Sequence, residues 1–375
     1  MNSNKQTIKG GYLFSPEEAA HALPSSGVNR KVHAQVEALN CYVQCTLFEL
    51  PPIHYQNSKI EKIIRRVPGT AVWRKWKYTG EYHDLDFLYI RQVYHDASFI
   101  RYLKAIKKDN PRIKLIYEIP TFPFDPEGAI TASNFAFVLK EKVNQKKLSK
   151  YIDRIVTFYG QNEILGIPCL DLINGFDFSK VIVPTRSMTE QIHIMSVAMT
   201  AFWHGYDRVI EGLYRYYASG GTENIIYHLC GIELPSLREL VKKYNLEDHV
   251  VFHGVISGSE LEKVYQISFL GLDVLGGHRK NYPISSSLKS REYAANGLPI
   301  ITSSPVDYLQ NDYPFQFIAP YDDSPLNMEE VLSFYHRIYD KMDCNQVSKT
   351  IRDYAEPRCD MKYTMKPVAD WLLSY

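Results

Sequence analysis

Residues 276–304 read GGHRKNYPISSSLKSREYAANGLPIITSS, and the rest of the chain takes its meaning from this stretch. Gly276 and Gly277 lead into His278, Arg279 and Lys280. A serine run, Ser285–Ser287, follows, and then a short helix carrying Lys289, Arg291 and Glu292. Asn296-Gly297 marks the end of that helix, and Leu298-Pro299-Ile300-Ile301-Thr302 has the composition of a buried strand. A polar, glycine-bearing loop that feeds a helix N-terminus suits an anion. The first amides of a helix have no intrahelical partner, and the dipole favours negative charge there. Basic side chains on the approach strengthen this, because phosphate recognition favours Arg and Lys. Any one of these features alone describes an ordinary loop–helix–strand unit; their combination points to an anion site.

Outward from this stretch, apolar runs of strand length alternate with segments of helical period. On the N-terminal side these are Gly11–Ser15, Tyr42–Leu50, Leu85–Ile90, Ile113–Ile119, Arg154–Phe158 and Cys169–Ile173, with helices at Ser98–Lys108 and Ser133–Tyr151. After an aperiodic connection, Phe176–Glu190, the alternation restarts. Strands are expected at Ile192–Met199, Asn224–Leu229, Val250–Phe252 and Phe269–Asp273, and helices at Tyr206–Tyr217, Ser236–Tyr244, Ser259–Tyr265, Met328–Lys341 and Tyr363–Ser374. Such alternation predicts parallel, doubly wound sheets, in which ligands sit beyond the carboxyl ends of the strands. That rule places Gly27, Arg91 and Glu118 on one rim. The loop around Gly27 also leads into an amphipathic helix, although it is not a GxGxxG and serves equally as a plain turn.

Composition bounds the rest. The 375 residues suffice for two domains, and Lys plus Arg total 43 against 42 for Asp plus Glu, which excludes a chain-wide electrostatic nucleic-acid binder. The six cysteines are scattered without metal-ligand pairing, and Cys41 and Cys45 fall in a strand-like run where both would pack as small hydrophobes. Asp84-Leu85-Asp86 opens an expected strand in the first domain and is not placed as a metal-binding Asp-x-Asp, so no metal site is expected. No uncharged apolar run is long enough to span a bilayer, and no signal peptide is seen, so a cytoplasmic protein is expected. The lysine-rich segment Ser133–Tyr151, with Phe135, Phe137 and Leu139, reads either as a solvated helix or as a peripheral contact with the inner face of the cell membrane.

Four marks in order carry a resemblance. Ser287-Leu288-Lys289-Ser290-Arg291-Glu292-Tyr293 with Asn296-Gly297-Leu298-Pro299-Ile300 resembles the signature of the retaining family 4 (group 1) glycosyltransferases of the GT-B fold. Leu172–Asp177 (LINGFD) resembles the family's "NG-hydrophobic-D" segment, His204–Arg208 (HGYDR) its "KG-hydrophobic-D" loop, and Val250–Val255 (VVFHGV) with Glu260-Leu261 its "V-x-F-x-G … E-L" unit. Glu118-Ile119-Pro120-Thr121 resembles a subset acting on bacterial surface polysaccharides.

The resemblance implies an α/β fold of two Rossmann-like domains facing across a cleft. Residues 1–180 would form the acceptor-side domain, with a helix at about 360–375 packing back on it, and 181–359 the nucleotide-sugar-binding domain. It implies a retaining hexosyl- or deoxyhexosyltransferase with a nucleoside-diphosphate sugar as donor substrate and no further cofactor. The acceptor would be a saccharide or an undecaprenyl-type lipid-linked saccharide, in capsule, exopolysaccharide or lipopolysaccharide assembly, with no nucleic-acid partner. By the same resemblance Glu292 would hold the donor ribose, and Gly27, His204 and Gly254 would line the donor site. Ser285, Ser286, Ser287 and Leu288 would face the diphosphate, with Arg279 and Lys289 neutralising it. Glu118 reads as base, nucleophile or structural carboxylate. Ile284 stands where the family has its first motif glutamate, which leaves the donor sugar open, and His204 stands where it has a lysine, so that His278, Arg279 and Lys280 would supply the missing positive charge. An epimerase acting on sugar nucleotides, a catalytically impaired binding subunit and, more remotely, an NAD-dependent dehydrogenase are the competing classes. Nucleotide release and acceptor dependence separate them.

Overall fold

The computed structural model describes residues 7–16, 27–51, 63, 74–120, 135–158 and 160–374. Thr121, the residues leading to Gly27, and Ser133 and Asn134 lie outside the described residues. The chain divides into two compact units, Met1–Leu172 with Met361–Tyr375, and Ile173–Asp360.

The first unit holds β1 (Lys9–Phe14), β2 (Gln44–Glu49), β3 (Phe87–Arg91), β4 (Lys114–Glu118), β5 (Arg154–Thr157), β6 (Glu163–Ile164) and β7 (Ile167–Asp171). They form one sheet in the order β2-β1-β3-β4-β5-β7-β6, parallel except for β6, which runs antiparallel on β7. Alternate residues face opposite sides, as the two-residue pleat requires. Tyr12, Phe87, Tyr89 and Ile116 pack under α1 (Gly27–Leu39). Leu13, Leu88, Ile90 and Leu115 pack under α2 (Ala97–Asp109). The helix α3 (Phe135–Gln145) follows β4 in the chain. It is shorter than the expected Ser133–Tyr151 helix, which ends in a separate 3-10 turn at Leu148–Lys150. The last helix, Met361–Leu373, places Met361, Met365, Val368 and Leu372 in the same core cluster as Val32, Val36 and Leu39 of α1. Cys45 is buried, but Cys41 is exposed: β2 begins only at Gln44, so Cys41 sits in the turn after α1.

The second unit holds six parallel strands in the order β10-β9-β8-β11-β12-β13. They are β8 (Gln191–Val197), β9 (Asn224–Cys230), β10 (Val250–Gly254), β11 (Leu270–Leu272), β12 (Ile300–Thr302) and β13 (Gln316–Ile318). Six of the seven residues of β9 are buried, the near-continuous apolar run that a strand covered on both faces requires. Helices α4 (Asp207–Ala218), α5 (Pro235–Lys243), α6 (Ser259–Ile267) and α7 (Leu288–Ala295) follow β8, β9, β10 and β11 in turn, α8 (Met328–Tyr339) follows β13, and α9 (Cys344–Cys359) closes the unit. The sequence reading did not assign α9 or β13 an element. The apolar positions of α9, Val347, Ile351, Ala355 and Cys359, form a narrow every-fourth-residue stripe, and Pro357 reads as a breaker although it sits in the last turn. Among the described residues no helix is long and apolar enough to cross a membrane.

Each sheet has one point where the strand order turns back. In the first unit it lies between β1 and β3, in the second between β8 and β11. Loops leaving such neighbouring strands in opposite directions open a crevice at the carboxyl edge, where ligands of doubly wound sheets bind.

Candidate functional site

In the second unit the turn-back point brings two loops together. After β8 the chain makes a 3-10 turn, Phe202–His204, and after β11 another, Gly277–Lys280. The Leu275 amide donates to the His204 carbonyl (2.8 Å). Tyr293 of α7 joins the two strands: its hydroxyl accepts the Val197 amide (3.0 Å) and donates to the Leu272 carbonyl (3.0 Å). Gly205 has φ +70°, and a Cβ there would lie 2.5 Å from the Gly276 nitrogen, so both conformation and space demand glycine. Gly205→Ala is expected to cost about 2 kcal/mol or more, read as a melting temperature lower by roughly 4–8 °C. Gly254 has φ +67° but nothing within 4 Å of its added Cβ, so Gly254→Ala should cost only the backbone share.

Asp273, the first residue after β11, organises the stretch that follows. It is fully buried and accepts the hydroxyls of Ser285 (3.0 Å, Oδ2) and Ser287 (2.5 Å, Oδ1). Lys289 Nζ stands 3.9 Å from Oδ1. Burial pushes the Lys289 ammonium below its usual range, and the charges of Asp273 and Glu292 oppose that shift. Ser287 also caps α7, its Oγ accepting the Ser290 amide (3.2 Å). Arg291, fully buried, donates to the Ser287 and Asn174 carbonyls (3.0 Å each) and pairs with Asp307. Asn174 in turn donates to the Ser286 carbonyl (2.7 Å). The Asn-Gly and Ser-Leu-Lys marks of the sequence are thus parts of one scaffold.

This scaffold narrows the expected anion contacts. The Ser285 amide donates to the Pro305 carbonyl (2.7 Å), and the Ser286 amide to the Tyr282 hydroxyl (3.1 Å). Ser286 Oγ donates to Asp307 (2.6 Å). Ser285 and Ser286 therefore build the wall of the site instead of facing a diphosphate. The amides of Leu288 and Lys289, the first two of α7, have no partner among the described residues and carry the positive end of the helix dipole. Arg279 also departs from its expected role. It forks onto Asp207 (2.8 and 2.7 Å), donates to Asp323 (2.7 Å) and the Phe202 carbonyl (2.7 Å), and has its pKa raised by these carboxylates. Its charge is neutralised locally, and its work is to tie the Gly277–Lys280 turn to the start of α4. Lys280 Nζ lies 3.7 Å over the Trp203 ring.

His204 holds a fixed tautomer. Its Nδ1 accepts the Ala201 amide (2.9 Å), so the ring proton of the neutral imidazole sits on Nε2. Burial, then the charges of Lys289 and Lys280, push its pKa down to about 2. His204 is therefore a neutral N–H donor within reach of both lysine charges. Glu292 is 8 % exposed, which rules out a solvated helix glutamate. Burial pushes the Cys230 thiol up to about 12, with Glu292 adding to that shift, which places the carboxylate by the carboxyl end of β9. Ile284 is 57 % exposed immediately before the serine run.

Gly27 and Glu118 belong to the first unit, Gly27 as the exposed first residue of α1. Glu118, read from the sequence as base, nucleophile or structural carboxylate, is enclosed. It is fully buried and accepts from Tyr89 (2.6 Å), Gln35 (2.9 Å), Lys31 (3.4 Å) and Arg91, while the Tyr12 hydroxyl, which donates to Gln35 Oε1 (2.8 Å), lies 3.4 Å away. Four donors saturate a carboxylate. Asp273 and Asp307 escaped the sequence reading, and Tyr293 entered it only as a residue of the signature, without a role. The one available signal was Asp273 at a strand end directly before the glycine loop.

No family model and no curated protein matches this chain. Solved structures do. A glycosyltransferase from Rickettsia africae superposes with a TM-score of 0.63 at 12% identity, covering 98% of each chain. HepE from Anabaena, solved in complex with UDP, gives 0.59 at 12% identity over 98% of this chain and 100% of its own. WaaG, a glycosyltransferase involved in lipopolysaccharide biosynthesis, gives 0.57 at 14% identity over 97% and 99%. At such identities the likeness is one of fold: two parallel-sheet α/β domains in one chain, the GT-B fold.

Proposed function

We propose that this chain is a glycosyltransferase that moves a sugar from a nucleoside-diphosphate donor to a saccharide or lipid-linked saccharide acceptor, with retention of anomeric configuration, in surface-polysaccharide assembly. The carrying observation is the group at the turn-back point of the second unit: two α7 amides without a partner among the described residues, Lys289 and the His204 Nε2–H, with the buried Glu292 beyond them. These groups suit a diphosphate and a ribose. The solved neighbours with UDP and UDP-glucose support the donor class.

As the bond from the anomeric carbon to the phosphate breaks, its electron pair leaves with the phosphate. The α7 amides, Lys289 and His204 are aimed at that developing charge and lower the barrier. With Glu118 enclosed, retention follows from same-face displacement. The acceptor oxygen bonds to the anomeric carbon on the departing side, and its proton passes to the leaving phosphate oxygen. Arg279, Asp273 and Arg291 act as positioning residues.

A thermal-shift screen against UDP, GDP, dTDP and ADP sugars tests the donor. A ligand at a hundred times its Kd should add about 2.7 kcal/mol to stability. Lys289→Met should abolish the shift and lower turnover by about 10²-fold. No shift with any nucleotide would overturn the proposal, and nucleotide release that needs no acceptor would mark an epimerase instead.

A further inference from the structure

Three imidazoles stand in a row across the edge of the second sheet. His193 of β8 and His253 of β10 flank His228 of β9, with ring centroids 5.1 and 5.2 Å apart. His193 Nδ1 lies 2.9 Å from His228 Nε2, and His228 Nδ1 lies 2.9 Å from His253 Nε2. The middle ring is buried and the outer two are half-buried. His253 owes its aim to a bulge. Phe252 pairs with Leu229 and Gly254 with Cys230, so His253 is an extra residue in the edge strand, and a bulge re-aims the side chain it carries.

Proton counting limits what this row can hold. Three neutral imidazoles carry one ring proton each: one sits in each link and one on an outer nitrogen. A first added proton fills the other outer nitrogen and leaves both links intact. A second must enter a link, where it sets two N–H groups against each other at 2.9 Å, and that link parts. The helix packed on β8, α6, carries Glu260, Glu262, Lys263 and Tyr265, and α7, whose Tyr293 reaches the end of β8, carries Lys289, Arg291 and Glu292. The Cys230 thiol lies on the same face as His228. None of these groups bears on the three rings. Burial alone lowers His193 and His253, and burial with the two neighbouring rings holds His228 down to about 4.

The loop that β10 leads into is tied sideways to the proposed nucleotide site. The Gly254 carbonyl accepts the Gly231 amide (2.7 Å), the Cys230 carbonyl the Ala198 amide (2.9 Å), and the Ile232 carbonyl the Thr200 amide (2.7 Å). Ala201, next in the chain, donates its amide to His204. The bulge and His204 are thus joined through the loops after β10, β9 and β8.

We infer that the three histidines form an acid-released latch: a second added proton parts His253 from His228, frees the bulge, and lowers the affinity of the site beside His204 for a nucleoside diphosphate. His253 is the end that parts because its strand is the sheet edge and the bulge takes it out of the backbone pairing, whereas β8 is held between β9 and β11. A histidine whose folded-state pKa is depressed contributes its stability above the unfolded value and loses it as the pH falls. The latch therefore holds above the ordinary 6.5 and gives way between there and about 4. The inference rests on the proposed function only for the ligand that the loop serves.

The test is amide hydrogen exchange of Gly231 in the free full chain at about pH 7.5 and about pH 5, for the parent and for His253→Gln. The glutamine amide reaches the Nε2 position and does not titrate. A proton site released from about 4 to 6.5 favours opening roughly 30-fold at the lower pH, so the parent's protection should fall at least about tenfold and the variant's less than about threefold. The Kd for UDP should rise at least about threefold more in the parent than in His253→Gln between the same two pH values. Comparing the two proteins at equal pH cancels the titration of the phosphate itself. Gly231 protection that is the same at both pH values, or that falls equally in the variant, would overturn the latch. A UDP affinity that changes alike in both proteins would overturn its hold on the site. If UDP binds neither protein at either pH, the nucleotide reading fails, and exchange alone decides the latch.

Discussion

Asp273→Ala is expected to lower the stability of the second unit by about 3–5 kcal/mol and to remove any thermal shift given by a nucleotide. The carboxylate is fully buried, and its loss strands the Ser285 and Ser287 hydroxyls together with the Lys289 ammonium. Removing one partner of a buried charged group costs that much because the other is left desolvated and unpaired. The geometry of the α7 N-terminus would go with it, since Ser287 is both the helix cap and an Asp273 ligand. Asp273→Asn keeps one carbonyl acceptor and one donor that a rotated serine hydroxyl can meet. It should therefore lose less stability, about 1–3 kcal/mol, while still weakening the hold on Lys289. Chemical denaturation of both variants, followed by nucleotide titration at a temperature where both are folded, separates the two effects. An alanine variant as stable as the parent would show that Asp273 does not organise the loop.

Legibility from sequence followed the physics of each feature. Periodic apolar patterning gave the alternation of strands and helices, because burial between two helical layers is written directly into residue type. The motif at Ser287–Ile300 was visible for the same reason: a cap, a helix, a stop and a buried strand each require particular side chains. Occupancy of the donors was not visible. Whether the amide of Ser285 faces a ligand or the Pro305 carbonyl depends on a partner twenty residues away. Arg279 reads as a free cation until Asp207 and Asp323 are brought to it from other loops. His204 shows the same limit. Its tautomer is set by the Ala201 amide three residues earlier, and its neutrality by burial among lysines distant in sequence. The chain of imidazoles His193–His228–His253, linked at 2.9 Å across three neighbouring strands, was hidden because only sheet order places them side by side.

Glu118 provides the largest effect expected in the first unit, and its sign distinguishes a structural carboxylate from a catalytic one. Burial alone would raise its pKa. The charges of Lys31 and Arg91, with hydrogen bonds from Tyr89 and Gln35, outweigh that and hold it down to about 2 against an ordinary 4.5. A carboxyl whose folded-state pKa is depressed contributes its full stability above its unfolded value and loses it as the pH falls toward the folded value. Stability should therefore be level above about pH 5 and fall by about 3 kcal/mol between there and pH 2 on account of this residue. Glu118→Gln removes the carboxylate that Arg91 and Lys31 share. It should cost about 3–5 kcal/mol at neutral pH and flatten that part of the acid profile. Because the side chain is fully enclosed, the folded fraction of the variant should keep its turnover within a few-fold. Turnover that collapses while neutral stability and the acid profile stay at parental values would mean that Glu118 reaches the reacting sugar, and the enclosed reading would fall.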